Sequence, residues 1–269
     1  MQTPCFDTVI LSDLHLGSEV SRAKAALQLL KQTSFRRLIL LGDIFCDLNF
    51  RRLKKEHWQF LGYIRKLSNP KRNIEVVWVE GNHDHGLAEV MSHLVGIRVY
   101  QEYAWEFRGI RHLAIHGHQF DRVVISSLPL NNFFMLIYLH LQKLDFGKKR
   151  VVRCLERVDT AWLRLSSKVA KGALAYAHLR DAHRVFCGHT HEAMRLEQEG
   201  VEYYNTGSWT QPNATYITVD ESGVNIHEYD ERAYDRDSSE ERSQDDSAFA
   251  DFADPAGLPI DVEYQGVPG

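Results

Sequence analysis

Cysteine is scarce: Cys5, Cys46, Cys154 and Cys187 are the four in the chain, and they stand far apart. No two have the spacing of a zinc or redox pair, so a thiolate metal site and a disulfide scaffold are excluded. Free thiols in a reducing cytosol are expected. Long apolar runs are missing as well. The longest, Phe133 to Leu141, is broken by Tyr138 and His140 and falls well short of the ~20 residues of a membrane span. The first residues, MQTPCFDTVIL, carry no charged segment ahead of a long apolar stretch, so no secretory leader is expected and the chain is assigned to the cytoplasm. Neither a G-x-S-x-G elbow nor a P-loop occurs, and no internal repeat. A covalent serine mechanism and a Walker-type phosphate cradle therefore drop out.

Net charge is small, −4, but unevenly spread. Residues 228–269 hold thirteen acidic residues against three arginines, which leaves the remainder at +6. A mildly basic body suits an anionic substrate. It lacks the basic excess of a dedicated nucleic-acid binder, so nucleic acid is not an expected partner.

Five segments share one design, a short apolar run that ends abruptly in polar residues. They are Thr8 to Leu11 before SDLHLG, Leu38 to Leu41 before GDIF, Val76 to Val79 before EGNHDHG, Leu113 to Ile115 before HGHQFD, and Arg184 to Cys187 before GHTHE. The apolar runs read as buried strands. Ser21 to Leu30 and His57 to Leu67 have helical spacing, the latter with Trp58, Leu61, Ile64 and Leu67 on one side. Strands alternating with helices predict an α/β sheet whose ligands gather at the carboxyl ends of the strands. Tyr100 to Phe107 and Arg111 to Ile115 predict a hairpin around Gly109. Four short alternating runs between Met194 and His227 predict a meander or hairpins. The architecture expected is α/β, with two mixed sheets packed together.

Residues 131–146 and 149–180 read as helices, first strongly apolar, then amphipathic and basic. They form a helical insertion over the sheet rim at about 122–182. From residue 230 the chain is charged, Ser-rich and poor in apolar residues, so 230–269 is expected to be an acidic, disordered tail behind a domain of residues 1–229.

Asp13 and His15, and again His189 and His191, are two residues apart just past a strand, a spacing that lets both face one way. Asp43, Asn82 and His116 each adjoin a glycine, which lets the backbone turn sharply. Mixed imidazole, carboxylate and amide donors suit Mn, Fe or Zn. Seven donors exceed one tetrahedral ion and suit two ions sharing one carboxylate, an arrangement that clamps phosphoryl groups. A lone histidine is more often structural, and His57, His93, His178 and His227 take that reading.

The ordered series SDLHLG, GDIF, GNHD, HGH and GHTH resembles the calcineurin-like metallophosphoesterase family over residues 8–229. The resemblance implies a four-layer α/β/β/α sandwich. Asp13, His15, Asp43 and His191 would hold a first metal, and Asp43, Asn82, His116 and His189 a second, with Asp43 as the bridge and Mn the favoured ion. His83 would touch a leaving or phosphoryl oxygen, and Asp84 would orient His83. The reaction implied is in-line attack on phosphorus by a metal-bound hydroxide. The block NTGSW (Asn205 to Trp209) and the insertion are similar to the UDP-2,3-diacylglucosamine pyrophosphohydrolases of lipid A biosynthesis, whose insertion is a lid over acyl chains. This implies a UDP-linked lipid as substrate, with peripheral contact at the inner membrane face. Phe133, Phe134, Leu136, Ile137 and Leu139, with Lys148, Lys149, Arg150, Arg153 and Arg157, would serve that lid. The same residues equally fit an ordinary core with a solvated helix face. His118 stands where that subfamily has Asp, while Asp121 is kept, and CDLNF after GDIF lacks the usual Trp. The rival readings are a nucleotide phosphodiesterase, a nuclease, a phosphoprotein phosphatase, or a non-catalytic scaffold.

Overall fold

The computed structural model describes residues 5–47, 49–86, 92–93, 96–121 and 165–230. All five apolar runs form strands buried on both faces, which is why they read as continuous rather than alternating. Strands β1 (Cys5–Leu11), β2 (Ser34–Leu41), β3 (Glu75–Val79) and β4 (Val99–Tyr100) run parallel. They belong to a six-stranded sheet completed by β10 (Thr215–Asp220) and β11 (Gly223–Glu228), in the order β11-β10-β1-β2-β3-β4. A five-stranded sheet has the order β5-β6-β7-β9-β8, built from β5 (Glu102–Phe107), β6 (Ile110–Ile115), β7 (Arg184–Cys187), β8 (Met194–Gln198) and β9 (Val201–Asn205). In it β6, β7 and β9 are parallel. Both sheets are mixed, as expected.

Ile10, Ile39, Leu41, Val77 and Val79 of the first sheet meet Trp105, Ala114, Phe186 and Tyr204 of the second in one buried core. The alternate residues Leu11, Leu38, Leu40 and Trp78 are equally buried and face the other way. Helices α1 (Ala23–Gln32) and α2 (Lys55–Leu67) pack on each other, and α2 packs on β3. On the second sheet, Leu113, Ile115, Val185 and Tyr203 pack against Ala170, Ala173, Leu174 and Ala177 of a third helix, residues 165–179. The layers are thus helix, sheet, sheet, helix. The end of the expected insertion is therefore core. Its remainder, residues 122–164, and the expected tail from 231 onward lie outside the described residues.

Two expectations change. On α2 the buried side chains are His57, Phe60, Leu61, Ile64 and Leu67, whereas Trp58 is 54% exposed. At 100° per residue Trp58 lies well off the stripe that these residues define. The expected strand 100–107 is split, because Tyr100 closes β4 in one sheet and Glu102 opens β5 in the other. Arg108 and Gly109 both have positive φ, as the two-residue β5–β6 turn requires. The late runs form two hairpins rather than a meander: β8–β9 joins the second sheet, and β10–β11 the first.

Candidate metal centre

Every polar block lies at the carboxyl end of a parallel strand, and the two sheets bring those ends together. Asp13 and His15 follow β1, Asp43 follows β2, Asn82 and His83 follow β3, His116 follows β6, and His189 and His191 follow β7. Asp13, His15, Asp43, His189 and His191 all have positive φ, between 47° and 68°. Non-glycine residues seldom adopt this conformation, and such strain persists only where the surroundings hold it. Gly81 shows how tight the packing is, since a Cβ there would collide with the Asp43 amide and carboxylate.

Hydrogen bonds fix which ring atoms face the centre. His116 Nδ1 donates to Leu41 O at 2.9 Å, so Nε2 is turned towards Asp43 Oδ2, 3.2 Å away. His83 Nδ1 donates to Cys46 O at 2.7 Å, and its Nε2 lies 4.0 Å from Asp43 Oδ2. The His83 amide donates to Asp43 Oδ1 at 2.9 Å. His15 Nε2 and His191 Nε2 approach to 3.2 Å, and His191 Nε2 lies 3.1 Å from Asp13 Oδ1. Donor atoms of Asp13, His15 and His191, of Asp43, His116 and His189, and of His15, Asp43 and His83 form three mutually close groups, each within 4.8 Å.

The residues fit divalent cations. Asn82 Oδ1 is a buried acceptor without a hydrogen-bond partner, and Asp13 Oδ1 and His116 Nε2, which also make no well-formed hydrogen bond, face only other donor atoms of the cluster. Leaving such atoms unsatisfied costs several kcal/mol or about 1–3 kcal/mol each, depending on charge, and a cation would satisfy all three. The ligand spacing agrees. Two nitrogens, each about 2.1 Å from one ion, sit about 3.0–3.4 Å apart for octahedral to tetrahedral angles.

Electrostatics tie the same groups together. Burial lowers the His15 pKa to about 3, although Asp43 opposes this. Burial would also lower that of His116, but the Asp43 carboxylate raises it to about 10. Burial would raise Asp43, yet His116 and His83 hold it well below the usual carboxylate range. Burial together with the charge of Asp43 pushes Asp84 up to about 7.

Asp84 does not orient His83. Its Oδ1 accepts from the Phe45 amide at 2.8 Å and its Oδ2 from the Ile44 amide at 3.0 Å, so both oxygens pin the loop after Asp43. The group that orients His83 is a backbone carbonyl, that of Cys46, which leaves no side-chain signal in a sequence. Two other parts of the surroundings were legible only as motif neighbours. Asp121, buried, approaches His189 Nε2 with Oδ2 at 3.4 Å. The His118 ring lies 5.5 Å from that of His116, and burial lowers its pKa to about 3. His57, read as structural, accepts the Gly17 and Lys54 amides on Nδ1 and so braces the SDLHLG loop.

The family model of the calcineurin-like phosphoesterase superfamily domain matches residues 7–223. The chain belongs to that superfamily. Its members' chemistry makes this protein a metal-dependent phosphoester hydrolase, in keeping with the clustered Asp and His side chains. Similar solved structures include an archaeal phosphodiesterase at 14% identity, with 82% of this chain and 98% of that chain covered and a TM-score of 0.45. A predicted phosphoesterase from Streptococcus pneumoniae TIGR4 has 11% identity, 83% and 97% coverage, and a TM-score of 0.39. Zinc-complexed Vps29 from Entamoeba histolytica has 14% identity, 83% and 99% coverage, and a TM-score of 0.41. No curated protein sequence matches. Among the described residues no helix is long and apolar enough to cross a membrane.

Proposed function

We propose that the protein is a dinuclear phosphodiesterase or pyrophosphohydrolase acting on a UDP-linked lipid of the UDP-2,3-diacylglucosamine type. The observation that carries the dinuclear reading is that Asp43 belongs to two donor groups, one with His116 and His189 and one with His15 and His83. In this reading Asp13, His15, Asp43 and His191 hold one Mn(II), and Asp43, Asn82, His116 and His189 hold the other. When bound, two divalent cations lower the pKa of water and offset charge on the phosphoryl oxygens. His83, its Nδ1 proton engaged by Cys46 O and its side chain 24% exposed, presents Nε2 to a phosphoryl or leaving oxygen. Asp84 acts behind it by holding the Asp43–Cys46 loop rigid.

The lipid part of the reading is supported by the NTGSW block and by the apolar and basic sequence of residues 122–164, the part of the expected insertion that precedes the core helix. That segment would cover acyl chains and touch an anionic membrane surface. The test is a panel with Mn(II): a UDP-diacylglucosamine substrate, bis-p-nitrophenyl phosphate and p-nitrophenyl phosphate. Metal-dependent cleavage with a strong preference for the UDP-lipid is expected. Preference for nucleotide or chromogenic diesters would replace the lipid by another phosphodiester. No metal-dependent cleavage of any substrate would leave a binding scaffold.

A further inference from the structure

None of the NTGSW side chains enters the chemistry above, yet the block is buried directly behind the metal-facing loops. The Thr206 amide donates to Cys187 O at 2.9 Å, and the Trp209 amide donates to Asp13 O at 3.1 Å. Ser208 Oγ donates to the same Asp13 carbonyl at 3.3 Å. Asn205 Nδ2 donates to Gly188 O at 2.7 Å. One short turn thus ties the SDLHLG loop to the GHTH loop.

Hydroxyl protons give this clamp a direction. Ser12 Oγ touches both Asp13 Oδ2 and Thr206 Oγ1, and all three residues are fully buried. A carboxylate only accepts, so the single Ser12 proton goes to Asp13. The Ser12 oxygen then accepts the proton of Thr206. The competing acceptors are farther away, Gly207 O at 3.2 Å from Ser12 and Cys187 O at 3.3 Å from Thr206. The His189 amide adds a second donor to Asp13 Oδ2 at 3.1 Å. Oδ2 is therefore saturated, while Oδ1 faces His191 Nε2. Gly188 leaves room for this arrangement, since a Cβ there would collide with Asp13 Oδ2 and Ser12 Oγ.

We infer that Ser12 and Thr206 are positioning residues, a hydroxyl relay that holds the Asp13 carboxylate so that Oδ1 is committed to a cation. The inference rests on the metal-centre reading above. Hydrogen-bond partners behind a ligand change metal affinity by about 10–100-fold, and that is the size expected here. The experiment titrates the metal-free full chain with Mn(II) by calorimetry, for wild type, Ser12→Ala, Thr206→Val and Thr206→Ser. Thermal melts of the metal-free proteins check folding. Ser12→Ala should weaken Mn(II) binding about 10–100-fold. Thr206→Val should weaken it in the same direction but less. Thr206→Ser, which keeps the hydroxyl, should match wild type. Wild-type affinity in both Ser12→Ala and Thr206→Val overturns the relay while the metal centre stands. Equal weakening in Thr206→Val and Thr206→Ser also overturns it, because shape rather than the hydroxyl would then matter. Should Thr206→Val not fold, Ser12→Ala against wild type decides. A wild type that binds no Mn(II) removes the metal-centre reading itself, and the relay with it.

Discussion

The Asp43 carboxylate accepts the His83 amide on one oxygen and faces His116 Nε2 with the other. Such a group can serve two cations because its anionic charge offsets their mutual repulsion. Asp43→Asn keeps the shape and removes that charge. Activity should vanish, and bound metal, measured by elemental analysis, should fall below the wild-type content. Full activity with unchanged metal would end the bridging role. His83 is a different case. Its ring is anchored by Cys46 O, and its Nε2 lies farther from Asp43 Oδ2 than that of His116 does. His83→Ala should lower kcat by about 10² or more, the range for a positioned acid or a transition-state contact, with metal content near wild type. Metal loss in this variant would instead make His83 a ligand, joining His15 and Asp43 in the group they already form.

At the scale of the element, β6 carries a histidine that no catalytic argument uses. His112 is fully buried between the sheets, stacked on Trp105 at 4.8 Å and on Phe186 at 5.8 Å. Its Nδ1 donates to Ile110 O, and Nε2 has no hydrogen-bond partner. Burial lowers its pKa to about 4. Unfolding returns it to about 6.5, so between these values the unfolded chain binds more protons. Stability contributed by neutral His112 is therefore complete above about pH 6.5 and is lost as pH falls towards 4, to the extent of a few kcal/mol at most. His112→Phe keeps the stack and removes the titration. Urea midpoints of wild type and variant should diverge as pH drops from 7 to 4.5, with wild type losing more. Parallel curves would show that His112 does not titrate with folding.

For the whole molecule, one compact unit is Met1–Tyr229, and its last strand, β11, ends at Glu228. The family match ends at residue 223. From residue 230 the sequence is rich in Asp, Glu, Arg and Ser, which leaves little apolar surface to bury. Deleting residues 232–269 should leave the melting temperature and Mn(II) affinity unchanged. A clear fall in melting temperature would mean that the final apolar residues of PAGLPIDVEY dock on the folded unit.

The strand runs, the rim and the donor set were legible in the sequence because each depends on local chemistry. A strand buried on both faces needs a continuous apolar run, and a sharp exit from it needs glycine or a residue that tolerates positive φ. A cation needs Asp, His and Asn at such exits. Asp13, His15, Asp43, Asn82, His116, His189 and His191 stand at such exits in the sequence, and the fold brings the ends of all five blocks to one rim. What tertiary structure decided is who holds whom. Asp84 stands beside His83 in the chain but spends both oxygens on Ile44 and Phe45, while His83 is held by the carbonyl of Cys46. Thr206 reaches Asp13 through Ser12 across 194 positions of chain. Tyr100 and Glu102, nearly adjacent, lie in different sheets. These outcomes depend on distances between segments remote in sequence and on backbone groups that every residue carries alike, so no pattern of side chains could encode them.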